Sequence, residues 1–177
     1  MSLEVDFITE SLAVEAVEAK LAGYDWDAFA TELEHYGCSV LKNILTPKKC
    51  SDIATLYPQE EHFRSHIRMA RYGVGDFNCL HQDLYGDLTF PLQIAILLSV
   101  PGEDFTGGEF VLTEQRPRMQ SRVEVVPILQ GDAAVFAVHN RPAKGSKGYY
   151  RVNLRHGVSR IRTGNRYAAG IIFHDAK

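Results

Sequence analysis

The 177-residue chain has only three cysteines, Cys38, Cys50 and Cys79, odd in number and far apart. They make no C-x-x-C pair, which excludes a disulfide framework or a zinc ribbon as the organising device. Buried reduced thiols are the expectation, and Cys79, two residues before a histidine, reads as a small core hydrophobe rather than a metal ligand. No run of 18 apolar residues occurs, so no membrane-spanning helix is expected. Residues 1–10 hold Glu4, Asp6 and Glu10 and no basic residue. A secretory signal needs a basic start, and the cytoplasm is the expected compartment. Internal repeats and low-complexity tracts are also missing. Apolar residues make up 45% of the chain and charged residues 23%, the balance of a soluble globule able to bury one core. A single domain over residues 1–177 is expected, with 1–66 as mostly helical support and 67–177 as a β core.

The net charge of −3 hides an asymmetry. Residues 1–113 hold 7 Lys/Arg against 18 Asp/Glu, whereas 114–166 hold 11 against 3. A basic half would attract a polyanion such as nucleic acid. The same arginines could instead lie on solvated strand faces and pair with the acidic half.

Helical periodicity marks the first third. Asp25 caps a stretch in which Trp26, Phe29, Ala30, Leu33 and Tyr36 recur at helical spacing, with Gly37 as the stop. Thr46-Pro47 restarts a helix, and residues 8–22 suggest another. From about Ile67 the period changes to two, or to continuous apolar runs broken by Gly and Pro. Strands are predicted at 67–72, 78–83, 92–99, 108–113, 123–128, 133–138, 154–159 and 166–174. Residues 140–148 read as the most loop-like segment. The class is α+β, mainly β: a sandwich or jelly roll with N-terminal helices packed on one sheet.

His81-Gln82-Asp83 ends an apolar stretch and is answered by His156. Two imidazoles and a carboxylate can hold Fe(II) on one face and leave positions open. Residues i and i+2 of a strand share a face, so His81 and Asp83 can grip one ion from one strand. An isolated His-x-Asp is also compatible with a structural pair in a turn. His139 and His174 read as strand histidines, and Tyr149 and Tyr150 as packing or substrate-facing residues.

Several segments occur in a telling order: Arg71-Tyr72-Gly73-x-Gly75, His81-Gln82-Asp83, Thr106-Gly107-Gly108-Glu109-Phe110, Gln130-Gly131-Asp132-Ala133-x-Val135-Phe136, His156-Gly157-Val158 and Arg166-Tyr167. Together they resemble the Fe(II)/2-oxoglutarate-dependent dioxygenases, and AlkB-type enzymes in particular. Over residues 26–177, the runs 81–86, 107–122 and 152–158 are similar to a bacterial family of such oxygenases described as acting in oxidative demethylation of damaged DNA. The resemblance implies a double-stranded β-helix, a cupin-like jelly roll. It implies Fe(II) held by His81, Asp83 and His156, with 2-oxoglutarate and O₂ as co-substrates. It also implies Arg166, at the start of the last strand, as the anchor of the distal carboxylate, with Tyr72 donating to the same group; Arg160 and Arg162 compete for the arginine role. Gln82 or Asn78 would orient the ligands. The chain departs from AlkB-type enzymes at Ile172, where they carry a second arginine, and it is short between the opening helices and the metal strand. The alternatives are a prolyl or amino-acid-type hydroxylase and a non-catalytic jelly-roll binding module.

Overall fold

Asp25 starts the first long helix, α1 (Trp26–Tyr36), by accepting a hydrogen bond from the Ala28 N–H at 2.9 Å. Gly37, at φ 78°, ends it. Thr46 caps α2 (Pro47–Thr55), with Pro at its first turn. The computed structural model describes residues 14–58, 67–84, 89–116 and 118–174. Residues 14–22 are helical too, as expected, and positions 8–13 of that predicted helix lie outside the described residues.

The rest is β: β1 (Cys38–Leu41), β2 (Ile67–Tyr72), β3 (Asn78–His81), β4 (Thr89–Leu97), β5 (Phe105–Gly107), β6 (Phe110–Gln115), β7 (Arg122–Val126), β8 (Ala133–Ala137), β9 (Asn140–Gly145), β10 (Gly148–Val158), β11 (Ile161–Gly164) and β12 (Arg166–His174). The larger sheet runs β1-β8-β4-β12-β2. The smaller runs β3-β10-β6-β7, with β9 also on β10, and β5 pairs with β11. Every strand pair is antiparallel.

Period two decides which residues meet between the sheets. Leu97 of β4 and Phe136 of β8 face Phe110 and Leu112 of β6 and Val158 of β10 across the main core. Each such side chain contributes about 1.5–3 kcal/mol by leaving water. The alternate residues of β8, Ala133 and Val135, point out and pack with Leu41, Tyr24 and Phe29. Cys50 and Ile53 of α2 cover Leu98 and Ala169. The helices therefore lie against the outer face of the larger sheet, as the sequence predicts.

Asp132, 1% exposed, ties this layer together before β8. Its carboxylate accepts from the Asn43 and Leu129 N–H groups at 2.8 and 2.9 Å and from Lys42 at 2.9 Å. Burial alone would raise its pKa, but these donors outweigh it and hold the carboxyl below its ordinary range.

The structure corrects three expectations. Residues 140–148, expected as loop, form β9 and the turn into β10, because Asn140–Gly145 pairs along the first half of β10. β10 is accordingly longer than predicted. Cys79 is exposed, unlike Cys38 and Cys50. β3 ends at His81, so Asp83 lies just past the strand rather than on it.

Candidate metal centre

β10 sits between β3 and β6, and its pairing sets His156 directly opposite His81. Gly157 permits this contact: a Cβ there would meet the Asn78 carbonyl oxygen at 2.7 Å. The two imidazole centroids are 4.2 Å apart. Asp83 lies between them, one oxygen 3.5 Å from His81 Nε2 and the other 3.4 Å from His156 Nε2. The three donor atoms fall within 4.8 Å of one another. His81 Nδ1 is 2.7 Å from the Cys79 carbonyl, which turns Nε2 toward the cluster. His156 is packed beside Phe136 and Phe110. Burial lowers its pKa, with Asp83 opposing, so the ring favours the neutral form that ligates metal. Two imidazoles and a carboxylate are a donor set suited to Fe(II) with open positions.

Arg166 opens β12 opposite Tyr72 of β2 and is 2% exposed. Its guanidinium carbon lies 5.7 Å from the Tyr72 ring centroid and 5.9 Å from that of Phe105. No carboxylate pairs with it among the described residues, and its buried Nε has no hydrogen-bond partner. Burial lowers its pKa to about 10, which leaves it charged at neutral pH. A cavity of about 250 Å³ between the sheets is lined by Arg166, Tyr72, His81, Asp83 and His156. Gly108, at φ 66°, makes room for the arginine: a Cβ there would meet Ile161 Cδ1 at 2.4 Å and Arg166 Cδ at 3.0 Å. A buried cation without a carboxylate partner among the described residues thus shares a cavity with the His81–Asp83–His156 donor set, an arrangement that is costly unless an anion pairs with it.

Residues 33–176 match the Oxygenase-NA family, described as an oxygenase catalysing oxidative methylation of damaged DNA. The chain belongs to this oxygenase family. Among solved structures, the chain is similar to an oxidoreductase of the 2OG-Fe(II) oxygenase family from Burkholderia pseudomallei, with TM-score 0.58 and 14% identity over 85% of this chain and 90% of that one. It is also similar to a Pseudomonas putida prolyl-4-hydroxylase, with TM-score 0.54 and 14% identity over 84% and 94%. These likenesses establish a shared fold. Two uncharacterised proteins from strains of Mycobacterium tuberculosis are 55% identical to it over 113 residues, 64% of this chain and 48% of theirs. The chain spans about half the length of these relatives.

The other residues singled out in the sequence take different places. Arg160 and Arg162 are exposed, Arg160 over the Phe77 ring, so neither shares the burial of Arg166. Cys79 contributes a backbone carbonyl and stands outside the donor cluster. Gln82 orients backbone rather than a ligand ring: its amide donates to the Leu154 carbonyl at 2.6 Å and to Asn153 Oδ1 at 3.2 Å, clamping the loop that carries Asp83 to β10. Asn78 donates to the Tyr72 hydroxyl at 3.4 Å. His139 is not a ligand; its ring contacts Asn140. His174 lies in β12, opposite Thr89. Tyr149 and Tyr150 line a surface groove of about 700 Å³ together with Phe90, Leu84 and Arg151. The sequence reading passed over Gln93, a buried residue of the central cavity. Its signal is plain in retrospect: it is the single polar residue between Phe90 and Leu98, on the inward alternation of Ala95 and Leu97.

Among the described residues, no helix is long and apolar enough to cross a membrane.

Proposed function

We propose that this chain is an Fe(II)- and 2-oxoglutarate-dependent dioxygenase that demethylates alkylated nucleic acid. The observation that carries the reading is Arg166, buried without a carboxylate in the cavity that also holds the His81–Asp83–His156 cluster. In this reading the cluster holds Fe(II). Arg166 takes the distal carboxylate of 2-oxoglutarate in a charge-assisted pair, and the Tyr72 hydroxyl, steadied by Asn78, adds a donor. The strand orders of the two facing sheets support a double-stranded β-helix, because the chain crosses repeatedly between them, from β2 to β3, back to β4, over to β6 and β7, back to β8, over to β9 and β10, and back to β12. When bound, Fe(II) with 2-oxoglutarate and O₂ supplies oxidation of a substrate C–H bond, one oxygen atom going to substrate and the other to succinate as CO₂ leaves. On an N-methyl group, the hydroxylated carbon departs as formaldehyde.

A nucleic-acid substrate is supported by the family description and by charge. Arg118, Arg151 and Arg155 line one groove with Asn140 and Asn153. None of the three arginines has a carboxylate partner among the described residues. Asn153 touches Gln82, so the groove adjoins the loop that carries Asp83. Arg116, which also borders the groove, converges with Arg122 and Arg141 on buried Glu114, and these three are internally paired. Part of the basic segment 114–166 is therefore neutralised internally, and the other part is available to phosphates. A target base would leave its stack to reach the cavity.

The test is succinate release from the Fe(II)-loaded protein with methylated single-stranded DNA, methylated RNA and proline-rich peptides. Stimulation by a methylated nucleic acid, with formaldehyde in equal amount, is expected. Stimulation by peptide alone would make the chain a prolyl-type hydroxylase. No succinate with any substrate, from protein that binds iron, would favour a binding module.

A further inference from the structure

Gln93 of β4 is 2% exposed, and neither its Nε2 nor its Oε1 has a hydrogen-bond partner among the described residues. A buried amide with both ends unpaired is costly and is rarely retained without a reason. Its neighbours in the sheet are Phe136 on β8 and Ile172 on β12, which offer it no polar side chain. It lines the cavity that contains His81, Asp83, His156 and Arg166.

Two features decide what it would bind. The first is place. Gln93 is in register with Ile172, six positions along β12 from Arg166. At about 3.3 Å per strand residue that is about 20 Å of backbone, which sets Gln93 toward the other end of the strand from Arg166, the residue that would hold the distal carboxylate. The second is chemistry. A carboxylate only accepts hydrogen bonds and would satisfy the N–H₂ group but leave the carbonyl unpaired. A ligand that offers an acceptor beside a donor satisfies both, and a nucleobase edge does so; glutamine pairs in this bidentate way with adenine.

We propose that Gln93 determines substrate specificity by gripping the edge of the target nucleobase, its amide N–H₂ donating and its C=O accepting. This rests on the nucleic-acid reading above. A site built to pair a buried amide rejects ligands that leave it unpaired, so Gln93 selects at the base rather than at the phosphates.

The test uses equilibrium binding. The full chain is loaded anaerobically with Fe(II) and 2-oxoglutarate. Fluorescence anisotropy then measures its affinity for a single-stranded oligonucleotide with one methylated adenine, the same oligonucleotide abasic at that position, and a proline-rich peptide. Wild type is expected to prefer the methylated over the abasic oligonucleotide about tenfold, the order of one well-made bidentate base contact. Gln93→Leu is expected to erase that preference while leaving abasic and 2-oxoglutarate affinities unchanged. It should melt no lower than wild type, since it removes an unpaired amide, and the longer Gln93→Met gives the same pattern. Weakened 2-oxoglutarate binding with the preference intact would overturn the proposal in favour of a co-substrate role. A lowered melting temperature without any change in binding would overturn it in favour of a structural one. Loss of peptide affinity alone would overturn the base-edge form. A wild type with no preference would overturn both this proposal and the nucleic-acid reading, whereas a preference surviving Gln93→Leu overturns the role of Gln93 only.

Discussion

Arg166 and His156 show how burial turns ordinary side chains into chemistry. The same guanidinium on a strand surface would be hydrated and unselective, as at Arg160 and Arg162. Placed beside Tyr72 and Phe105, it has no carboxylate partner among the described residues, and on the proposed reading an external anion supplies one. Arg166→Met is therefore expected to raise the half-saturating 2-oxoglutarate concentration by about 10- to 100-fold, the scale of one desolvated charge pair, without reducing Fe(II) affinity. Titration of metal-loaded protein with 2-oxoglutarate checks this, and an unchanged midpoint would return the role to Arg160 or Arg162. Arg166→Lys should recover little of the loss, because a single ammonium cannot form the two parallel bonds of a guanidinium.

At the scale of elements, the site depends on how closely β3 and β10 approach. Gly157→Ala would push a methyl group into the Asn78 carbonyl, separating the strands that bring His81 and His156 together. The variant should lose about 1–3 kcal/mol of stability and bind Fe(II) more weakly, measured by denaturant unfolding and metal titration; wild-type values for both would contradict the role given to this contact. Asp132 anchors β8 in another way. Its pKa is depressed in the folded state, so its contribution is fully present above the ordinary value of 3.8 and is lost as pH falls through the lower folded value. Asp132→Asn should cost about 2 kcal/mol at neutral pH. The gap from wild type should close as acid protonates the native carboxyl, which unfolding curves at several pH values would show.

These elements also explain what could be read from the sequence. Caps and periodicity reveal α1 and α2, because Asp25, Gly37 and Thr46 act on their own neighbours. The apolar runs reveal β4, β8 and β12, which bury side chains between sheet and helices. β9 stays hidden, since Asn140–Gly145 is polar, contains Pro142 and becomes a strand only by pairing with β10. β5 and β11 are three and four residues long, too short for a pattern, and exist through each other. In the site, the two histidines and Asp83 are legible because metal chemistry demands those types, although Asp83 reaches its place from beyond the strand end. Gln93 was missed because an amide has no motif; only its unpaired burial sets it apart.

Across the whole molecule, the charge asymmetry divides into two populations with different work. Arg116, Arg122 and Arg141 surround Glu114, where burial opposes the carboxylate charge and the arginine hydrogen bonds outweigh it. Arg118, Arg151 and Arg155 face solvent in the groove beside the loop that carries Gln82 and Asp83. Replacing Arg151 and Arg155 by Gln should reduce the slope of log affinity against log salt for single-stranded DNA by about 0.7 per arginine; an unchanged slope would remove the groove from the substrate path. Beneath both populations lies the claim that one cavity holds Fe(II) at His81, Asp83 and His156 and a 2-oxo acid at Arg166. Visible absorption of the anaerobic protein with Fe(II) and 2-oxoglutarate tests it most directly. A weak charge-transfer band in wild type, absent from His81→Ala and Asp83→Ala, is the predicted result; no band in wild type, or one that survives both substitutions, would contradict it.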